Sequence, residues 1–405
     1  MNKLTLDDIK GLEERHIVQT YKRQPVAFVR GSGSRLYDVD GREYLDLVSG
    51  IGVTSLGHAH PGLAAAIADQ ASTLLHTSNL YYHPLQGQVA ARLTKLSGLP
   101  RVFFANSGAE AVEGCLKFAR RYWYTQGLKT RTGFVAIQNG FGGRTMGALS
   151  VTWDEHYRAP FQPLLGPVTF VAAGDVAALE AAVTDRTAAV IAEPIQGEGG
   201  IRPLSREFAQ AISDVCRRTG TLYIADEVQT GLGRTGFPFY FPVLGLEPDL
   251  VSVGKALGSG VPVGAMLMSD RVARAISPGD HGTTYGGNLL ACRAALFFLE
   301  QLMDHGVLDH VNAVGPLFER RLRTLALKHP VITEVRGVGL MQGLQLDVDA
   351  TPIVDSARER GLLVNRTNEK VVRMLPPLTI EAADLDRAVD ILEEVFATVK
   401  TEVHA

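Results

Sequence analysis

The stretch Asp249-Leu-Val-Ser-Val-Gly-Lys255-Ala-Leu-Gly-Ser-Gly260 runs from an apolar strand pattern into a lone lysine and a glycine-rich turn. A second apolar run, Val263-Gly-Ala-Met-Leu-Met268, follows after a short connection. Parallel strands need a crossover of a dozen or more residues, and none fits here. The two strands are therefore predicted to lie antiparallel to each other.

Other apolar runs extend this pattern along the chain, each ending in glycine or polar residues before a helical pattern. They are Val102–Ala105, Gly133–Ile137, Ala188–Ala192 and Leu222–Ala225. Continuous rather than alternating hydrophobicity is typical of strands covered on both faces. The sequence thus predicts an α/β fold with a mostly parallel central sheet and one antiparallel strand. Flanking helices are predicted at 109–124, 175–183, 205–218 and 288–303.

The pattern changes near residue 304 and predicts a smaller α+β domain. Helices are expected at 306–328 and 351–360, with strands at 332–336 and 341–346. Residues 26–48 are predicted to form strands joined by an Asp40-Gly41 turn. We expect residues 1–55 to contribute to the small domain, 56–303 to form the large domain, and 304–405 to form the C-terminal small domain.

Composition excludes several classes of function. The 405 residues are 46% hydrophobic and 20% charged, with a net charge of −3 and no long basic block, so nucleic acid is not an expected partner. The first ten residues lack the apolar core of a signal peptide, and no run approaches the roughly 18 apolar residues of a membrane span. We expect neither secretion nor a membrane location.

Cysteine and histidine usage gives no metal site. Cys115, Cys216 and Cys292 are odd in number and lack Cys-x-x-Cys spacing, so they are predicted to be buried thiols in a reducing cytoplasm. His58 and His60 lie in Gly57-His-Ala-His-Pro61, which favours a turn over metal ligation.

Polar or aromatic residues follow the carboxyl ends of five predicted strands. Ligands of open α/β sheets bind in the crevice at that edge. We therefore expect one site built from Ser107-Gly108, Phe141, Arg144, Glu193, Asp226 and Lys255.

Lys255 and Asp226 indicate the chemistry of this site. A lysine in a partly desolvated pocket suits an amine that bonds covalently to a carbonyl group. A carboxylate against a pyridine nitrogen keeps that nitrogen protonated, so the ring can accept electrons. Asp226 alone could equally cap a turn, but together the pair favours pyridoxal phosphate and transamination.

Four further residues are weaker signals. Ser107-Gly108 begins a helix, where backbone N–H groups bind phosphate, although an ordinary N-cap looks the same. Phe141 could stack on a ring or lie in the core. Arg144 could hold a carboxylate with two hydrogen bonds.

The chain resembles the class III (fold type I) pyridoxal-phosphate aminotransferases over nearly its whole length. The motifs that carry the resemblance occur in order at Phe104–Ala111, Ala192–Gly200, Asp226–Gly231, Gly254–Leu257 and Gly282–Asn288. Within that family the chain looks most similar to the branch that acts on acetylornithine.

The resemblance implies a set of residues around pyridoxal 5'-phosphate. Lys255 would hold the cofactor and move the substrate proton, and Thr284 would come from a partner subunit, which implies a homodimer with shared active sites. The full cofactor set would be Ser107, Gly108, Phe141, Asp226, Val228, Gln229, Lys255 and Thr284.

The resemblance also implies how small-molecule substrates bind. Arg144 would hold a carboxylate of either substrate, and Thr283 would touch the donor. Arg373 would hold the α-carboxylate of glutamate, and Glu198 would pair with Arg373 while the other donor is bound. One pocket would thereby accept an amino donor and 2-oxoglutarate in turn.

The expected reaction is transfer of the δ-amino group of N2-acetylornithine to 2-oxoglutarate. Ile51 stands where ornithine aminotransferases have tyrosine, which counts against free ornithine. Gly142 stands where relatives have His or Trp, and its missing side chain is expected to open the acyl pocket. Succinylornithine, ornithine, 4-aminobutyrate and a lysine-pathway donor remain alternatives, as do an aminomutase or decarboxylase of this fold and a cofactor-free binding module.

Overall fold

A computed structural model describes residues 4–398. Within that range the strands are β1 Phe28–Ser32, β2 Arg35–Asp38, β3 Glu43–Asp46, β4 Arg101–Ala105, β5 Gly133–Ile137, β6 Val168–Val171, β7 Thr187–Ala192, β8 Ile195–Gln196, β9 Arg202–Pro203, β10 Leu222–Asp226, β11 Leu250–Val253, β12 Gly264–Met268, β13 Ile332–Val338, β14 Met341–Leu346, β15 Leu362–Leu363, β16 Asn365–Thr367 and β17 Val371–Met374.

The helices are α1 Leu6–His16, α2 Ser49–Gly52, α3 Pro61–Thr73, α4 Pro84–Ser97, α5 Gly108–Thr125, α6 Met146–Ser150, α7 Glu155–Arg158, α8 Val176–Ala182, α9 Arg206–Thr219, α10 Asp270–Ala273, α11 Leu289–Asp304, α12 Val307–Lys328, α13 Thr351–Glu359 and α14 Ala382–Ala397. Short 3₁₀ helices occupy Ala159–Phe161, Phe241–Leu244 and Lys255–Gly258.

A seven-stranded sheet in the order β4-β12-β11-β10-β7-β5-β6 forms the centre of the molecule. Neighbouring strands are parallel except at β12, which runs antiparallel to both β11 and β4. The α/β prediction with one antiparallel strand is thus confirmed. Every residue of β5, β7, β10, β11 and β12 is buried, which explains their continuous hydrophobicity.

Helices begin where short polar side chains can cap them. The Asp175 carboxylate accepts a hydrogen bond from Ala178 N, and Ser205 Oγ accepts one from Phe208 N, as expected of N-caps. The sequence prediction missed β6 and the helices α1, α3 and α4. No helix within residues 4–398 is long and apolar enough to cross a membrane.

Two smaller sheets flank the large one. The first has the order β1-β2-β3-β15, and the Asp40-Gly41 turn joins β2 to β3 as predicted. Because β15 pairs in parallel with β3, the N-terminal segment and the C-terminal part of the chain share this sheet. The second has the order β13-β14-β17-β16. The exact domain limits given above remain a prediction.

Candidate active site

The carboxyl ends of the parallel strands open onto a cavity of about 220 Å³. The residues that line it come from five separate segments: Gly108, Ala109, Phe141, Gly142, Gly143, Arg144, Glu193, Glu198, Asp226, Val228, Gln229 and Lys255. The structure therefore brings most of the predicted site residues to one place. Their convergence follows from the sheet order, since β10, β11 and β7 are neighbours with a common direction.

Asp226 ends β10 and is 5% exposed. Val228 N and Ser252 Oγ both donate to its Oδ1, at 3.1 and 2.9 Å. No donor within residues 4–398 bonds Oδ2, and the side chain faces the cavity. Burial raises the pKa of Asp226 to about 6, against the opposing effect of these two hydrogen bonds. An added cation at Oδ2 would favour the ionised form.

Lys255 lies two residues after the end of β11 and starts a 3₁₀ turn with a left-handed φ of 40°. Such a backbone angle is strained in a lysine, and strain of this kind is concentrated at functional sites. Burial lowers the pKa of the Lys255 amine, opposed most strongly by the negative charge of Glu198. This direction favours the uncharged amine, the form that a nucleophile or a proton acceptor requires.

Ser107 and Gly108 form a close-packed turn at the start of α5. Ser107 Oγ accepts a hydrogen bond from Glu110 N at 3.1 Å, so the serine is indeed an N-cap. A Cβ on Gly108 would lie 2.6 Å from Val228 Cγ1, and one on Gly254 would lie 3.0 Å from the Gly108 backbone. Glycine is required at both positions, because a Cβ would meet the Val228 side chain at position 108 and the Gly108 backbone at position 254. Ser107 remains exposed at the helix start, where backbone N–H groups can bind phosphate.

Glu193 connects two loops of the site, a role that the sequence analysis did not assign. It accepts hydrogen bonds from Phe141 N at 2.9 Å and from Gly197 N at 3.0 Å. It thus ties the loop bearing Phe141 to the loop bearing Glu198. Burial, then the nearby Asp226 charge, raises the pKa of Glu193 to about 8. Its position one residue after the apolar run of β7 was the available signal.

Glu198 and Arg373 form an ion pair, with Nη1 and Oε1 2.5 Å apart. The arginine side chain is 1% exposed and the glutamate side chain is 38% exposed. Burial raises the pKa of Glu198 most strongly, but the charge and hydrogen bond of Arg373, together with Lys255 and Gln229, leave that pKa below its usual value. Gln229 Oε1 lies 3.4 Å from the same Nη1. The pairing implied by the resemblance is present.

Arg144 lies at the mouth of the cavity. Its guanidinium carbon is 3.6 Å from the ring centroid of Tyr157 and 5.4 Å from that of Phe141. No carboxylate within residues 4–398 forms a salt bridge with it. Stacking on Tyr157 fixes the plane of the guanidinium and leaves its edge available. Tyr157 was missed because nothing in its local sequence marks it.

The missing side chain of Gly142 does not open the acyl pocket as predicted. A Cβ there would lie 2.6 Å from both the Ala148 carbonyl oxygen and Val151 Cγ2. Its amide donates to Thr152 Oγ1 at 2.9 Å. A side chain at 142 would therefore point into packed protein, and the glycine is required for packing in this chain.

Thr283 and Thr284 are not brought to the cavity of their own chain. Thr283 Oγ1 accepts hydrogen bonds from Asn106 Nδ2 at 3.2 Å and from Gly286 N at 3.1 Å. Thr284 is exposed, and neither threonine lines the cavity beside Lys255. The predicted contact of Thr283 with substrate and of Thr284 with phosphate thus remain predictions.

The geometry fits pyridoxal phosphate. Asp226 Oδ2 is buried and accepts no hydrogen bond within residues 4–398, which suits a protonated ring nitrogen. The Lys255 amine lines the same cavity. The glycine-packed turn at the start of α5 suits a phosphate group. Within residues 4–398 no cluster of three or more potential metal ligands is present.

Comparison with known proteins assigns the chain to a family. The model of the family Aminotransferase class-III matches residues 17–396. Acetylornithine aminotransferase of Methanocaldococcus jannaschii is 45% identical over 390 residues, which are 96% of this chain and 98% of that protein.

Solved structures agree with this assignment. Ornithine aminotransferase of Toxoplasma gondii, described with pyridoxal phosphate at its active site, has a TM-score of 0.93 and 33% identity, covering 98% of this chain and 95% of that one. Acetylornithine aminotransferase of Elizabethkingia anophelis has a TM-score of 0.86 and 32% identity, covering 98% and 100%. This protein therefore belongs to the class-III aminotransferases, which depend on pyridoxal phosphate.

Proposed function

We propose that this aminotransferase transfers the δ-amino group of N2-acetylornithine to 2-oxoglutarate. The products are N-acetylglutamate 5-semialdehyde and glutamate, as in arginine biosynthesis. The observation that carries the proposal is one cavity in which Lys255 and Asp226 lie beside the guanidinium of Arg144. Glu198 also lines this cavity, and it pairs with a second guanidinium, that of the buried Arg373. The high identity to acetylornithine aminotransferases supports this choice of donor.

The cofactor side of the cavity performs the proton transfer. Bound pyridoxal phosphate supplies a ring that takes up the electrons released when the substrate carbon loses its proton. Lys255 Nζ accepts that proton from the δ-carbon of the donor, helped by the lowered pKa of the amine. Asp226 Oδ2 holds a proton on the ring nitrogen. Phe141 and Val228 would hold the ring within the cavity, and Gln229 would bind its oxygen.

The substrate side of the cavity selects two acids of different charge. Arg144 holds the α-carboxylate of acetylornithine and, in the second half-reaction, the distal carboxylate of glutamate. Arg373 holds the α-carboxylate of glutamate once Glu198 moves away. While acetylornithine is bound, the Glu198–Arg373 pair hides that positive charge from a substrate with no second carboxylate.

Free ornithine is the second candidate donor, since ornithine aminotransferases are among the similar structures. Ile51, at the position of the expected tyrosine, argues against it. This isoleucine is 40% exposed and has a left-handed φ of 64°, in a segment whose Ser49 Oγ donates to the Leu375 carbonyl. The segment thus lies next to the strand of Arg373, but at position 51 it has an isoleucine, which offers no hydroxyl for a free α-amino or α-carboxylate group.

A donor panel tests the proposal. The purified holoenzyme is given acetylornithine, succinylornithine, ornithine or 4-aminobutyrate with 2-oxoglutarate, and glutamate formation is measured. We expect the highest kcat/KM with acetylornithine. A higher value for any other donor would identify that donor as the substrate instead. No glutamate from any donor, together with migration of the amino group to another carbon or with decarboxylation, would favour an aminomutase or a decarboxylase.

We also propose that two subunits share each active site, with Thr284 binding the cofactor phosphate of the partner. A patch beside Thr284 supports this: Leu80, Tyr81, Tyr82 and Tyr285 are exposed apolar side chains. Asn79 Nδ2 donates to the Gly286 carbonyl at 3.0 Å and joins the two segments of the patch. Exposed apolar surface of this kind marks protein interfaces.

Mixing two inactive variants tests the shared site. Lys255→Ala and Thr284→Ala protomers are mixed under conditions that allow subunit exchange. If Thr284 acts on the partner's site, half of the dimers are hybrids with one intact site, so about a quarter of wild-type activity returns. If Thr284 acts within its own chain, no intact site forms and activity stays at the level of the separate variants.

The proposed domain division is a large pyridoxal-phosphate domain at 56–303 and small-domain parts at 1–55 and 304–405. Pairing of β3 with β15 supports the contribution of the N-terminal segment. A cytoplasmic location is proposed because Cys115, Cys216 and Cys292 are all buried, unbridged thiols.

A further inference from the structure

Asn365 lies directly across from Arg373 in the second small sheet. Strands β16 and β17 are antiparallel, and their register pairs Asn365 with Arg373. The side chains of such a pair project from the same face of the sheet. Arg373 Nε donates a hydrogen bond to Asn365 Oδ1 at 3.2 Å. The guanidinium is therefore held from two sides, by Asn365 at Nε and by Glu198 at Nη1.

The three side chains bonded to Arg373 differ in charge. Glu198 is the one carboxylate within salt-bridge distance of Arg373 among residues 4–398. Gln229 and Asn365, the other side chains bonded to it, are neutral amides. The positive charge of a guanidinium that is 1% exposed is thus neutralised by one group, and that group is partly exposed.

We propose that Asn365 is a specificity-determining positioning residue, which holds the Arg373 side chain in place without neutralising its charge. This inference rests on the proposed function. When the Glu198 carboxylate turns away, the guanidinium stays in position because Nε remains bonded to the amide. Its full charge then becomes available to the α-carboxylate of glutamate.

The surrounding backbone is fixed in a way that supports this division of roles. Thr367, two residues after Asn365 on β16, donates from Oγ1 to the Glu198 carbonyl at 2.7 Å. The main chain of Glu198 is thereby anchored to β16, the strand whose Asn365 side chain accepts the hydrogen bond from Arg373. Exchange of the ion pair then requires only a side-chain rotation of Glu198.

A carboxylate at position 365 would have the opposite effect. Aspartate has nearly the same shape as asparagine and could accept the same hydrogen bond from Nε. It would also form a second, charge-assisted ion pair with Arg373. Arg373 would then stay neutralised after Glu198 turned away, and the α-carboxylate of glutamate would face an added negative charge.

The test uses Asn365→Asp, with Asn365→Ala and Asn368→Asp as comparisons. Asn368 is exposed on the same hairpin, so its substitution adds a carboxylate without contact to Arg373. Each holoenzyme is assayed in single half-reactions, with glutamate or acetylornithine, by the change in cofactor absorbance.

For Asn365→Asp we expect the KM for glutamate to rise by about tenfold or more, with kcat and the acetylornithine half-reaction within about twofold of wild type. We expect Asn365→Ala to raise the glutamate KM less than Asn365→Asp does, and Asn368→Asp to change neither half-reaction. A purely structural role would give the reverse order, with alanine worse than the isosteric aspartate.

Separate outcomes identify what has failed. Equal losses in both half-reactions of Asn365→Asp, or a larger effect of alanine than of aspartate, would overturn the role of Asn365 alone. If Asn365→Asp does not fold, an unchanged glutamate KM in Asn365→Ala would overturn it. Failure of the wild-type enzyme to react with glutamate would overturn the proposed function itself.

Discussion

The two sides of the cavity are built from different parts of the fold. Asp226 and Lys255 stand at the ends of adjacent parallel strands, so their separation is set by the sheet. Arg373 comes from a small sheet, and Glu198 comes from a loop. The first pair is fixed by strand register, whereas the second is joined by an ion pair with one partly exposed member.

This difference follows the chemistry of a reaction in two halves. The proton transfer and the ring electrons are common to both half-reactions, so the groups that serve them gain from a fixed position. The substrate changes between the halves, so its recognition needs a contact that can exchange. A single partly exposed carboxylate on a buried arginine is such a contact.

The largest effect is expected from Lys255→Ala, in the pair of residues whose position is fixed by strand register. Because its amine is the group placed to accept the substrate proton, turnover should fall by at least about 10³-fold, as measured by steady-state glutamate formation. The cofactor absorbance characteristic of attachment to the lysine should also be lost. Lys328→Ala, the same truncation at a surface salt bridge with Glu393, is the control and should stay near wild type. Multiple turnovers at the wild-type rate would refute the assignment of Lys255.

In the exchangeable ion pair of Glu198 and Arg373, the substitution Arg373→Ala should affect the two half-reactions differently. We expect kcat/KM for glutamate to fall by about 10²-fold, because the α-carboxylate loses its buried partner. The acetylornithine half-reaction should change by less than about threefold, since that donor does not use Arg373. Arg144→Ala is the comparison and should impair both halves. Equal losses in both halves of Arg373→Ala would show that the arginine does not distinguish the substrates.

Gly142→Ala tests whether that glycine belongs to the site or to the packing behind it. The added Cβ would clash with the Ala148 carbonyl and Val151, so the free energy of unfolding should drop by about 1–3 kcal/mol. The preference among acyl donors should not change. Gly87→Ala, at a helical position with open space, should be neutral or slightly stabilising. A changed donor preference, with an unchanged free energy of unfolding in denaturant, would show that Gly142 contributes to the substrate pocket instead of the packing.

The sequence predicted Asp226, Lys255 and the strands that carry them well, because the sequence signals for these residues are local. The strands β5, β7, β10, β11 and β12 are buried and mainly apolar, and the functional residues lie at or within a few residues of the ends of the first four. The antiparallel direction of β12 was predictable from the length of one turn. Even so, β6 escaped notice because its partly exposed pattern, Val-Thr-Phe-Val, lacks a continuous apolar run.

The rest of the site depends on contacts between distant segments, which no local pattern encodes. Asn365 and Tyr157 are 8 residues or more from the arginines they contact, on a neighbouring strand or a short helix. The pairing of Glu198 with Arg373 was expected only from the resemblance. The Gly142 prediction was wrong because the direction of a missing side chain cannot be inferred from the sequence alone.

The smallest effect is expected from Ser252→Ala, which removes a hydrogen bond to Asp226 without removing any reacting group. The register of β10 and β11 pairs Ser252 with Asp226, and its hydroxyl donates to Oδ1 at 2.9 Å. That hydrogen bond stabilises the ionised carboxylate and lowers the pKa of Asp226, against the larger effect of burial. Loss of the bond should therefore raise the pKa, by about 0.7 unit if the bond contributes about 1 kcal/mol.

The direction of the resulting shift in activity is determined by which form of Asp226 is useful. The ionised carboxylate pairs with the protonated ring nitrogen, so a higher pKa means that activity is lost at a higher pH on the acid side. The acid limb of the pH profile for the glutamate half-reaction should move upward in Ser252→Ala, with a nearly unchanged rate at its plateau. Ser150→Ala removes another buried serine hydroxyl, bonded to the Gly147 carbonyl, and should leave the limb in place. A downward shift, or equal shifts in both variants, would mean that Asp226 is not the group whose ionisation sets this limb.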